Sequence, residues 1–253
     1  MGVAPILAPL AGAYVTKFFG WEAIFLIIAA LGVACLFIVH IRLPETRGPN
    51  KAVRMRRSLP IYIDVLRDPE FLRYSLTGGI AQSGLFAYIT ASPLVFIDHF
   101  GLSPEAYSWL FGLNAIGIIG LAQLNGWLVK HRSSRKILNK SLPVLGIISV
   151  ALIFSAVFNW GFWGVLIPLF LYISTLGMVF PNAMAGALAG QAERAGSASA
   201  MTGALQFFIA GLISALVSIL GSYHYGAMMF LIGLCGLTSL TMYRVLRRPE
   251  QLA

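Results

Sequence analysis

The sequence predicts an all-α polytopic membrane protein, and three observations carry that prediction. Of its 253 residues 58% are hydrophobic and only 11% charged, with a mean hydropathy of +0.82, whereas soluble domains carry about 25% charged residues. Eight apolar stretches, at 3–19, 23–40, 74–96, 107–129, 142–158, 162–188, 200–220 and 225–246, approach the roughly 20 residues that cross a bilayer as helix. If all eight span, seventeen of the eighteen Lys and Arg residues fall in segments on one side, and only Lys17 falls on the other. That is the positive-inside pattern, so both termini are expected to be cytoplasmic.

The first two stretches run into one another with no basic leader or cleavage site, so they read as spans and not as a signal peptide. The interval from Pro44 to Asp68 follows; with Arg47, Lys51, Arg54, Arg56 and Arg57 it has the composition of a solvated basic linker beside anionic headgroups. Residues 59–66 mix apolar side chains with Asp64 and predict a short surface helix ending before Pro69. The expected organisation is therefore two helices in 1–43, a cytoplasmic basic linker in 44–73, and a six-helix bundle in 74–253. Within that bundle the outer turns, 98–105, 159–161 and 221–224, are too short to form a domain. Function must lie within or between helices.

Small residues at Gly196, Ala200 and Gly203, and at Gly211 and Ala215, suit close helix packing, since in lipid it is backbone approach that favours association. Pro93 interrupts the third span, and Pro168 and Pro181 the sixth; each frees a carbonyl that a neighbour must satisfy. Trp21, Trp109, Trp127, Trp160 and Trp163 lie at or near span ends, as an aromatic belt requires.

Several chemistries are excluded. Cys35 and Cys235 lie in spans and read as packing residues. His40, His99, His131 and His224 are scattered without ligand spacing, so no metal site and no cofactor are expected. The net charge of +9 follows membrane topology and does not point to nucleic acid. An embedded enzyme would need a nucleophile, base or ligand set at reacting distance, yet none of the nine acidic residues lies inside an apolar stretch. That absence also matters for transport, because a carried proton needs an ionisable group within the bilayer.

What the spans do contain is amides. Gln82 is on the third, Asn114, Gln123 and Asn125 on the fourth, Asn182 on the sixth and Gln206 on the seventh, while the second, fifth and eighth have none. The pattern separates lining helices from lipid-facing ones. Residues eleven apart return to one helical face, so Asn114, Gly117, Leu121 and Asn125 form one stripe, Ser199, Thr202 and Gln206 a second, and Tyr172, Thr175 and Asn182 a third. Three polar stripes can surround a cavity, with Phe86, Tyr88, Phe111, Phe207 and Phe208 as apolar contacts. The competing role is bonding across helices, at about 0.6 kcal/mol for each bond.

Four further runs carry a family resemblance. Ala4-Pro5-Ile6-Leu7-Ala8-Pro9-Leu10-Ala11-Gly12-Ala13 resembles the antiporter motif on the fifth helix of drug:proton antiporters in the major facilitator superfamily, with Ala8, Pro9, Gly12 and Ala13 at its key positions and alanine replacing half of its glycines. Phe180-Pro181-Asn182-Ala183, and above all Gly196 through Phe207, resemble the Bcr/CflA subfamily of multidrug efflux proteins. Gly126, Lys130, Arg132, Arg135 and Lys136 are similar to the superfamily's basic loop after the eighth helix, with Lys130 where an acid is usual.

The resemblance spans the whole chain and aligns it with helices five to twelve of a twelve-helix fold. It implies an inner-membrane drug:proton antiporter exporting small amphipathic compounds of the bicyclomycin, chloramphenicol or sulfonamide type. Its partners would be a drug or metabolite, protons, the lipid bilayer and a missing N-terminal part containing the proton-carrying carboxylate. On that mapping the cavity residues are Gln82, Phe86, Tyr88, Asn114, Asn125, Tyr172, Asn182, Thr202 and Gln206. A non-transporting scaffold, a split-transporter subunit or an inactive remnant is the alternative.

Overall fold

The computed structural model describes residues 11–12, 14–16, 18–44, 58–221 and 224–246. Among these there is no strand, and seven helices are long and apolar enough to cross a membrane. The chain divides into two compact units, Met1–Ser58 and Leu59–Ala253. In the first unit α1 (Glu22–Arg42) is apolar on every side, with Glu22 in its first turn and His40 and Arg42 in its last. These charges complement the helix dipole. The expected first span lies mostly outside the described residues, although 11, 12, 14–16, 18 and 19 are helical.

The second unit comprises a short α2 (Ser58–Leu66) and six long helices: α3 (Pro69–Pro93), α4 (Pro104–Leu128), α5 (Ser134–Phe158), α6 (Gly161–Ala189), α7 (Ala195–Gly221) and α8 (Ala227–Val245). Helix starts follow local chemistry. Asp68 Oδ1 accepts from Glu70 N at 2.9 Å and Phe71 N at 3.4 Å, with Pro69 in the first turn. Ser103 Oγ accepts from Ala106 N at 3.2 Å ahead of Pro104. Both are N-caps that satisfy otherwise orphaned donors, and proline is tolerated there because its missing N–H would be unbonded anyway.

Several helices start earlier than their apolar stretches suggest, α3, α5 and α7 by five residues or more. α5 begins at Ser134 and not near 142, so Arg135, Lys136 and Lys140 are helical. α3 begins at Pro69, so Arg73 lies in its second turn instead of in a linker. Hydropathy marks only the hydrocarbon layer, whereas the helices continue beyond it; Lys136 and Lys140 there are exposed, while Arg73 is buried.

Pro93 has the effect expected of it. Without an N–H it cannot continue the α ladder, and the chain changes to a π-helical segment, Leu94–His99, in which Phe100 N bonds Val95 O at 3.1 Å. Pro168 and Pro181, by contrast, stay within one continuous α6.

α3 is the hub, packing on α6, α7 and α8; α5 packs on α6 and α8, while α4 packs on α6. The amide-free α5 and α8 are therefore half-buried bundle members, and the amide-bearing α4 and α7 are the least buried of the six. α5 and α8 pack on the bundle through small residues that hydropathy alone does not distinguish. A Cβ on Gly236 would lie 2.9 Å from the Tyr172 ring, and one on Gly233 would lie 2.7 Å from Ser149 O. Conversely, Gly196, Gly203 and Gly211 of α7, read as packing positions, have nothing within 4 Å of a built Cβ. The reason is that α7 turns its other face, with Ala198, Thr202 and Ala210, inward.

Candidate functional site

The tightest helix crossing is between α4 and α6. A Cβ on Gly177 would lie 2.8 Å from Ala122 N and closer still to Ile118 O, so the two backbones nearly touch. This approach brings the polar side chains of the two helices together. Asn182 Nδ2 donates to Asn125 Oδ1 at 2.6 Å and to Met178 O at 2.7 Å. Nearer the other end of α4, Asn114 Nδ2 donates to the Tyr88 hydroxyl on α3 at 3.1 Å and to Leu110 O at 3.2 Å. The Tyr88 ring stacks on Phe111 with centroids 5.6 Å apart.

In both asparagines the amide orientation is fixed, because Nδ2 must face the carbonyl of the preceding turn. Each Oδ1 is thereby left without a partner, as is Gln82 Oε1 on α3. All three residues are buried. Buried acceptors are normally satisfied, and leaving one unpaired costs about 1–3 kcal/mol. Three unmet acceptors on three helices, α3, α4 and α6, are the clearest polar signature in the bundle.

Other candidates are placed differently. Tyr172 is sealed between α3, α6 and α8; its hydroxyl donates to Ala81 O at 2.9 Å, and its ring fills the space over Gly84 and Gly236. Thr202 Oγ1 donates to Ala198 O at 2.9 Å and meets Ser75 Oγ at 3.3 Å across the α3–α7 contact. Gln206 is half-buried beside Gly79. Phe86 meets Phe207 edge-to-face at 5.8 Å, and Phe207 and Phe208 are exposed. Of the first stripe, Asn114 and Asn125 are buried, and Gly117 lies against Ser174 and Phe170 of α6. That stripe lies in the crossing with α6.

The basic segment after α4 is a tight turn, with His131 N and Arg132 N both bonding Leu128 O. Gly126, Lys130, Arg132 and Lys136 are exposed and Arg135 is half-buried. Arg132 and Lys136 line an open depression with His131, Asn139 and Lys140. Of the antiporter-motif positions, only Gly12 is among the described residues; it is helical, and its carbonyl accepts from Thr16 Oγ1 at 2.8 Å. Ala8, Pro9 and Ala13 lie outside them.

Sequence reasoning missed Ser174, whose buried Oγ lacks a partner, and Arg73 and Tyr243, buried where α3 meets α8. The Asp68-Pro69-Glu70 start signal could have revealed Arg73, since it places that residue inside the helix.

Comparison with known proteins identifies the architecture. Residues 1–215 match the model of the Major Facilitator Superfamily. The chain is 27% identical over 243 residues to the "Bicyclomycin resistance protein homolog" of Haemophilus influenzae, covering 95% of this chain and 61% of that protein. It is 33% identical over 246 residues to the "Uncharacterized MFS-type transporter YdgK" of Bacillus subtilis, covering 92% and 60% respectively. It is also 30% identical over 241 residues to "Multidrug resistance protein D" of Escherichia coli, at 93% and 59%. The chain thus spans about 60% of the length of these relatives. It is an all-α, multi-pass membrane protein of a transporter family and belongs to the major facilitator superfamily, in its Bcr/CflA-type branch.

Proposed function

We propose that this chain supplies one wall of the substrate path of an inner-membrane drug:proton antiporter that exports small amphipathic compounds. The observation that carries the reading is the set of unmet acceptors, Gln82 Oε1, Asn114 Oδ1 and Asn182 Oδ1, on three adjacent helices. Amides used only as interhelical glue would be satisfied within the bundle. These three have acceptor capacity left for a donor-bearing substrate or for water. Tyr88, Phe86, Thr202 and Gln206 would add apolar and polar contact, and Asn125 and Tyr172 would hold the neighbouring helices in register.

The exposed faces of α4 and α7 would meet further helices, from a preceding segment or a partner chain. Those helices would carry the proton-binding carboxylate that the spans described here lack. Both termini would be cytoplasmic. The names of the similar drug-resistance proteins support the substrate class, and the cation asymmetry supports the orientation.

The test is Asn114→Ala and Gln206→Ala in the complete transporter, scored by drug resistance at equal membrane expression. Altered resistance to at least one compound is expected; unchanged resistance across the whole panel would overturn the assignment. The satisfied contacts of Asn125, Tyr172 and Thr202 favour a second reading, a scaffold whose polar stripes are bonded shut. A cysteine at position 114 separates the two, since water-soluble thiol reagents reach it only if a path opens there.

A further inference from the structure

α5 carries two lysines and a run of apolar residues on one face. At about 100° per residue, Lys136, Lys140, Val144, Ile147 and Ala151 fall within a sector of about 80°. Lys136 and Lys140 line the open depression beside the α4–α5 turn, about 600 Å³ in volume, together with His131, Arg132, Ser133 and Asn139. All six are exposed, and none is acidic. Further along the same face, Ile147, Ile148 and Ala151 form one wall of an apolar groove of about 430 Å³, and Trp163, Gly164 and Ile167 of α6 form the other. The two recesses lie at different depths. α4 ends at Leu128, with exposed Trp127 in its last turn and the His131 ring 5.3 Å from it. A tryptophan at a span end marks the headgroup level, and the depression belongs there. Ala151 lies eleven residues beyond Lys140, about 16 Å along the helix, which is close to the roughly 15 Å of hydrocarbon in one leaflet. Val144 and Ile147, between them, are exposed.

We infer that this face of α5 seats an anionic phospholipid, with its phosphate in the basic depression and an acyl chain running past Val144 and Ile147 into the apolar groove. The polar end lacks internal compensation for its charge. Lys136 and Lys140 are a like-charge pair four residues apart, α5 has no acid in its first turn, and cations there oppose the helix dipole. Among the described residues Arg132, Lys136 and Lys140 form no ion pair. Arg132 matches phosphate geometry, the lysines add point charge, and the Ser133 hydroxyl and Asn139 amide offer neutral donors for ester or glycerol oxygens. A soluble anion would use only the polar end of this face, and an uncharged lipid only the apolar end. A molecule with a charged head and an acyl chain uses both, and cationic recesses at the headgroup level are placed to hold one. The site uses none of the three unmet amide acceptors, so it stands whether or not the proposed substrate path is correct.

The test is native mass spectrometry of the purified full chain in detergent, titrated with dioleoyl phosphatidylglycerol or dioleoyl phosphatidylcholine. The variants are Lys136→Gln with Lys140→Gln in one protein, and Ile147→Ala in another; all three positions are exposed, so both proteins should fold. Arg67→Gln, an exposed cation outside both recesses, controls for bulk attraction.

The wild type should hold phosphatidylglycerol about tenfold more tightly than phosphatidylcholine, and the double lysine variant should lose about that factor for phosphatidylglycerol alone. Its unchanged hold on phosphatidylcholine distinguishes a lost headgroup contact from a lost fold. Ile147→Ala should weaken both lipids about threefold, and Arg67→Gln should match the wild type. Equal retention of the two lipids by the wild type, undiminished phosphatidylglycerol binding by the double variant, or equal weakening by Arg67→Gln would overturn the inference. An Ile147→Ala protein that holds both lipids as the wild type does would overturn the acyl seat.

Discussion

Replacing Gly177 by alanine tests whether the α4–α6 crossing organises the polar core. The new Cβ would lie 2.8 Å from Ala122 N and closer still to Ile118 O, and both are backbone atoms of a packed helix. Ordinary contact begins near 3.4 Å, so the helices must separate by several tenths of an ångström or more, and no flexible side chain can yield instead. Overpacking of this kind costs about 1–3 kcal/mol. Alanine's helix propensity returns roughly 0.8–1 kcal/mol, leaving a net loss of about 0–2 kcal/mol. At about 2–4 °C per kcal/mol for a chain of this size, the melting temperature should fall by up to about 8 °C.

Gly203→Ala is the matched control, since a Cβ there meets nothing and only the propensity gain remains, an expected rise of about 2–4 °C. The assay can use the protein's own reporter. Cys235 is buried in α8 and Cys35 is exposed, so in a Cys35→Ala background a thiol-reactive dye responds only as the bundle opens. A Gly177→Ala protein as stable as Gly203→Ala would refute the claim that the backbones meet at this crossing.

Three further outcomes are expected. Tyr172→Phe, which deletes the hydroxyl donated to Ala81 O, should cost about 0.5–1.5 kcal/mol, and Tyr172→Ala about 3–5 kcal/mol because it empties the space between Gly84 and Gly236; the same thermal assay ranks them. A double-mutant cycle of Asn125→Ala and Asn182→Ala should give a coupling of about 0.6–1.7 kcal/mol, the measured range for bonds between membrane helices, whereas a coupling of zero would mean the 2.6 Å contact is energetically silent. Asp68→Ala removes the α3 N-cap and also an acceptor of Gln191 Nε2 at 2.6 Å, so a loss of about 1–2 kcal/mol is expected, read by faster hydrogen exchange at Glu70 and Phe71.

The sequence alone determined the helical membrane class and the short α2 helix, because these follow from local hydropathy, charge and turn chemistry. It also identified the amides at Gln82, Asn114, Gln123, Asn125, Asn182 and Gln206 as exceptional, since polar side chains are costly in hydrocarbon wherever they point. Only the tertiary structure decided which of them are satisfied. The Asn125–Asn182 bond depends on the Gly177 approach, and the 11-residue spacing of Asn114 and Asn125 cannot say whether their shared face meets a cavity or another helix.

Burial of Arg73 and the open space beside Gly196, Gly203 and Gly211 were likewise invisible in sequence. A cation near a span end reads as a headgroup ligand until a neighbouring helix end covers it. A small residue reads as a packing site until the rotation of its helix is known. Hydropathy fixes which segments enter the membrane, but rotation about each helix axis is set by contacts among residues far apart in the chain, and those contacts create the polar sites.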